Sequence, residues 1–128
     1  MAKEWKTLFI VHLVVGLVFG LGYIVFPGLM ISLFGLTSFD PWLLRLVGAA
    51  ILGYTASSWF GMSQTAYDRV RGIVMAEIVW LVLGALVSLL GLLFGGLPPA
   101  VWINVVVLGL FAAAFIVLAV REQRPGRA

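Results

Sequence analysis

The chain has 128 residues, of which 63% are hydrophobic and 10% charged, and it carries a formal net charge of +3. No water-soluble domain could hide that much apolar surface. The absence of cysteine excludes disulfides, thiolate metal sites and thiol redox chemistry. The pI near 9.8 is explained by basic residues at the ends of apolar runs, so no nucleic-acid partner is expected.

Four apolar runs, Leu8–Phe26, Trp42–Met62, Ile73–Phe94 and Ala100–Val120, each approach or exceed the ~20 residues that cross a bilayer as helix. Only His12, Arg45 and Glu77 interrupt them with an ionisable side chain. The expected architecture is all-α: one four-helix bundle over residues 1–128, embedded in the membrane.

Along the chain, Lys3 and Lys6 precede the first run in the manner of a signal peptide. The run is longer than a usual signal core and no A-x-A-like site follows it, so a retained helix is expected. Pro27–Phe34 is apolar but short, and Gly35 ends it. This reads as an interfacial half-helix with Leu29, Met30, Leu33 and Phe34 turned to lipid or bundle. Asp40-Pro41 supplies an N-cap and a proline at the first position of the second span. Thr65-x-x-Asp68 resembles a capping box that would start the third helix before it enters the bilayer. Gly95-Gly96-Leu97-Pro98-Pro99 is a tight turn into the fourth span.

Orientation follows from lysine and arginine. Lys3, Lys6, Arg69, Arg71, Arg121, Arg124 and Arg127 are seven of the eight basic residues, and all fall in segments that share one side. Both termini are therefore expected in the cytoplasm, most simply across a prokaryotic cytoplasmic membrane. Trp5 and Trp59 would form the inner aromatic belt, Trp42 and Trp102 the outer one.

Gly16-x-x-x-Gly20, Ala49-x-x-x-Gly53, Gly84-x-x-x-Ser88 and Ala112–Ala114 provide small surfaces for close helix packing. The segment Leu13–Leu29 also aligns without gaps onto Leu81–Leu97, a faint parallel repeat of the kind transporters carry.

Polar residues fall in two layers. His12 and Glu77 lie roughly 9 Å from the inner boundary at ~1.5 Å per residue. Tyr54, Ser57 and Ser58 share that depth, with Phe115 on the fourth span. A histidine beside a carboxylate can relay protons, hold a polar group or serve a cofactor. The plainer reading is a structural hydrogen bond or a reach toward the headgroups. A haem or chlorophyll on His12, or a quinone, would need a partner chain or a lipid-facing site, and no metal site is expected. The outer layer comprises Arg45, Asn104, Tyr23 and Ser88. Arg45 opposes the orientation rule, so it either binds an anionic headgroup, carboxylate or quinone carbonyl, or pins the half-helix through Asp40, Asn104 or loop carbonyls. Arg45 and Glu77 differ in depth by more than roughly 10 Å and should not pair.

Phe26-Pro27, then Leu33-Phe34-Gly35-Leu36, then Pro41-Trp42-Leu43-Leu44-Arg45-Leu46-Val47-Gly48-Ala49-Ala50 resemble the first half of small DoxX-like membrane proteins. In that family a first span ends in an F-x-P-type turn, a short segment ends in L-F-G, and the second span opens with R-x-x-G. The resemblance implies a compact four-span bundle and, for the founding members, association with quinone-linked respiratory oxidation.

No phosphate loop, catalytic triad or metal signature is present. The expected role is an accessory or structural subunit of a respiratory or photosynthetic membrane complex, surrounded by lipid and by other subunits or copies of itself. The alternatives are a lipid- or quinone-binding protein or enzyme using Arg45 and Asn104, or His12 and Glu77, and a small oligomeric transporter.

Overall fold

A computed structural model of the protein describes residues 1–124; Arg127, counted above among the inner charges, lies outside them. The described residues form five helices and no strand: α1 Lys3–Val25, α2 Pro27–Leu33, α3 Pro41–Met62, α4 Arg71–Phe94 and α5 Trp102–Glu122. Single 3-10 turns, Tyr67–Arg69 and Pro99–Val101, lead into α4 and α5. With its 3-10 turn included in the last, α1, α3, α4 and α5 form four segments of 23, 22, 24 and 24 residues, long and apolar enough to cross a membrane. The chain is a small multi-pass membrane protein.

Local chemistry sets the breaks. Pro27 bars Phe26 from helical geometry, and Phe26 takes φ −127° and ψ 56° before Pro27 restarts the chain as α2. That helix stops where Gly35 adopts φ 72°, a left-handed conformation open to glycine. On α2 the apolar residues divide: Met30 and Phe34 are buried, whereas Leu29 and Leu33 are 59% and 60% exposed. Asp40 Oδ1 caps α3 by accepting from the Trp42 and Leu43 amides at 2.8 and 3.3 Å.

The capping box expected at Thr65–Asp68 does not form. Ala66 is extended (φ −121°, ψ 131°) and no side chain caps either the 3-10 turn or α4. The extended residue separates Thr65 from the helix it would have started. The faint repeat also ends where α1 and α4 end, since α1 leads into a helix and α4 into a turn at Gly95–Gly96.

The spans pair as two hairpins, α1 against α3 and α4 against α5; between hairpins, α1 meets α5 and α3 meets α4 only sparsely. In the first hairpin, Gly16 backs onto Thr55 and Gly20 onto Leu52 and Gly48. The stripe on α3 is thus Gly48, Leu52 and Thr55, at helical spacing. Ala49 and Gly53, expected to pack, lie one residue along and face outward; Ala49 is exposed, and a Cβ on Gly53 would meet nothing within 4 Å.

The hairpins are joined firmly at the basic end. Trp5, Phe9, Val70, Val74, Phe115 and Ala119 form a core there. Trp5 is fully buried, and its Nε1 donates to Glu122 Oε1 at 2.8 Å. It therefore serves as a core plug, not as part of the belt expected from its position. Trp42, Trp59 and Trp102 are 65%, 62% and 46% exposed, as lipid-facing residues would be. At the opposite end the contact is slight: a Cβ on Gly35 would lie 3.1 Å from Pro98 Cβ.

Candidate functional site

Two hairpins clamped at one end leave space between them. A cavity of about 530 Å³ runs through the bundle, with His12, Tyr54 and Thr55 at its inner end and Tyr23, Ser88 and Asn104 at its outer end. From His12 to Tyr23 along α1 is roughly 16 Å at 1.5 Å per residue. Phe19, Leu81, Gly84 and Leu108 line the stretch between, so the middle is apolar.

The wall between α3 and α4 is incomplete. Val47, Leu83 and Val87 line the cavity yet are 43%, 54% and 68% exposed. This seam faces the surrounding lipid. Near its inner end Tyr54 and Trp80 stack across it, with ring centroids 5.5 Å apart at 13°.

The inner polar layer is a bonded cluster. His12 Nδ1 lies 2.8 Å from Ser58 Oγ and Nε2 lies 3.7 Å from Glu77 Oε2. The imidazole is held between the edges of Phe111 and Phe115, at centroid distances of 4.8 and 5.5 Å. Ser57 Oγ donates to the Tyr54 carbonyl at 2.6 Å and to Glu77 Oε1 at 3.0 Å. A hydroxyl has one proton, so these two bonds compete. Glu77 is fully buried, and among the described residues its Oε2 has no hydrogen-bond partner. Of these groups His12 and Tyr54 reach the cavity; Ser57, Ser58 and Glu77 stand behind its wall. Below the spans, burial pushes the Tyr67 phenol above its ordinary pKa, opposed by the nearby Arg71 and reinforced by Glu122 and Asp68.

The outer layer divides. Asn104 Nδ2 donates to Ser88 Oγ at 2.8 Å, and both face the cavity with Tyr23. Arg45 lies outside it. Its Nε donates to the Ile24 carbonyl at 3.2 Å, one of the acceptors that the end of α1 leaves without a helical partner. The cation also sits at the negative end of the α1 dipole. Asp40 and Asn104, the side chains expected as partners for Arg45, are engaged elsewhere, Asp40 in capping α3 and Asn104 with Ser88.

Sequence reasoning did not pick out the seam residues Val47, Trp80, Leu83 and Val87. Valine, leucine and tryptophan on a membrane helix carry no signal that separates a cavity wall from a lipid face. No group of three His, Cys, Asp or Glu side chains among the described residues could hold a metal ion.

No protein-family model, curated protein or solved structure matches the chain. The geometry of the cavity is therefore the ground for a functional reading.

Proposed function

We propose that this membrane protein binds a membrane-soluble amphipathic molecule, of lipid or quinone type, in the cavity between its two hairpins. The observation that carries the reading is the α3–α4 seam, where an apolar cavity with polar ends communicates with lipid. Ligand sites are typically concave, mostly apolar and furnished with a few placed polar groups. This space has that composition and, at about 530 Å³, a fitting size. The resemblance of the first half to DoxX-like proteins, with their link to quinone chemistry, is in keeping with a lipid-soluble ligand.

The reading is preferred to an accessory subunit because a purely structural bundle gains nothing from a gap between its hairpins, and lost contacts cost stability. It is preferred to a transporter because the inner end is plugged by Trp5, Phe9 and Phe115, which are fully buried.

Native mass spectrometry of protein extracted gently from its own membranes tests the proposal. The wild type should retain a small molecule that Val87→Trp loses, with helical content unchanged by circular dichroism. Retention of other subunits in place of a small molecule would restore the accessory role. Equal small-molecule retention by both proteins would move the binding site out of the cavity.

A further inference from the structure

The two ends of the cavity differ in what they have left to offer a ligand. At the inner end His12 has Ser58 on one ring nitrogen and faces Glu77 with the other, and Thr55 Oγ1 donates to the Ile51 carbonyl at 2.8 Å, which leaves the Tyr54 phenol, stacked on Trp80, as the uncommitted hydroxyl there. At the outer end three helices each contribute a neutral group with spare capacity. Asn104 keeps a second N–H and its carbonyl oxygen after donating to Ser88, the Ser88 hydroxyl keeps its own proton, and the Tyr23 phenol can donate and accept.

Charge narrows the choice further. Among the described residues no Lys, Arg, Asp or Glu side chain lines the cavity; Arg45, whose Nε donates to the Ile24 carbonyl, lies outside it. An ionised head would enter with no counter-charge, and burying an unpaired charge is strongly unfavourable. The open seam reaches the outer half at Val47 and Val87, beside the polar cluster. The length of roughly 16 Å from helical rise suits one extended chain.

Building on the ligand-binding reading, we infer that the occupant is an uncharged, single-chain amphiphile. Its hydroxyl or carbonyl head lies among Tyr23, Ser88 and Asn104 in the outer half, and its tail runs down to the His12 floor. It slides in from the outer leaflet between α3 and α4.

Trp80 lines the cavity and stacks on Tyr54 near the floor, which makes it a built-in depth probe. The test uses one acyl or alkyl chain with different heads: a glycerol monoester, an alcohol, a carboxylate, an ammonium and a phosphocholine. Each is brominated either at the tail end or next to the head. Fluorescence quenching is measured in wild type and in Trp80→Phe, and the difference isolates Trp80.

Neutral probes brominated at the tail end should give saturable quenching of Trp80, at least about tenfold tighter than the charged heads. Bromine next to the head should quench it weakly. Tyr23→Phe and Asn104→Ala, on different helices, should each weaken neutral-probe binding by roughly three- to tenfold, as loss of one hydrogen bond implies. Equal or tighter binding of a charged head overturns the assignment of charge. Stronger quenching by head-side bromine overturns the orientation. Absence of saturable Trp80 quenching by every probe removes the cavity itself as the binding site, and this inference with it.

Discussion

Glu77 is buried against an imidazole that stands 3.7 Å away, too far for a hydrogen bond, and it shares one serine proton with a backbone carbonyl. A glutamine there would keep the Ser57 contact and bring an N–H toward His12. Glu77→Gln should therefore alter stability by less than about 1 kcal/mol, since polar contacts between membrane helices average about 0.6 kcal/mol. Glu77→Ala removes the Ser57 contact and leaves a hole at a fully buried position, and should cost about 1–3 kcal/mol. Unfolding in mixed micelles compares the two; a glutamine as damaging as alanine would show that the negative charge itself holds the cluster together. At this scale the sequence was partly readable. His12, Ser58, Ser57 and Glu77 stood out as ionisable and hydroxyl groups at one depth, because polarity inside an apolar run is costly and conspicuous. Arg45 stood out equally but could not be assigned, since a free carbonyl at the end of α1 is a property of the backbone break at Pro27, and the side chains alone do not reveal it.

The helices themselves show which glycines matter. Gly20 is backed by Leu52 side-chain atoms 2.6 and 2.8 Å from where a Cβ would sit, so Gly20→Leu must force α1 and α3 apart. Overpacking of this kind costs typically about 1–3 kcal/mol. Gly53→Ala has open space and should change stability by less than about 0.5 kcal/mol. Denaturation of the two variants side by side, with Gly53→Ala proving the more damaging, would contradict the stripe described here. Span lengths and the proline and glycine breaks were legible because length, hydropathy and turn chemistry are local properties. The choice between Gly48 and Ala49 was not, because both stripes consist of small residues and only the partner helix distinguishes them. The capping box failed for a related reason: a four-residue motif does not report the extended conformation of the residue inside it.

For the molecule as a whole, the four-span all-α bundle followed directly from composition, while its division into two hairpins with a gap between them did not. Apolar residues that face a partner helix, a lipid or a cavity look alike in a membrane protein, since lipid supplies no polar contrast. The gap is the difference between the plugged basic end and the lightly touching outer end. A ligand that fills it should draw α3 and α4 together at the outer end and leave the Trp5–Glu122 end unmoved. Paired spin labels at Leu46 and Leu86, both exposed, should report a shorter distance on ligand addition, and labels near Ser63 and Gln123 no change. Movement of equal size at both ends would argue against a hinge at the basic end.

Because each hairpin is built from neighbouring stretches of chain, most of its contacts are complete within its own half of the sequence. The glycine seam, the arginine latch and the Ser58 partner of His12 all lie within the first hairpin and need nothing from α4 to form. The carboxyl of Glu77, the Phe111 and Phe115 rings, and the residues that close over Trp5 (Val70, Val74, Ala119 and Glu122) arrive later. The gene can thus be read as two successive half-proteins. Severed between Ser63 and Tyr67 and produced as two polypeptides, the halves should find each other in the bilayer and copurify.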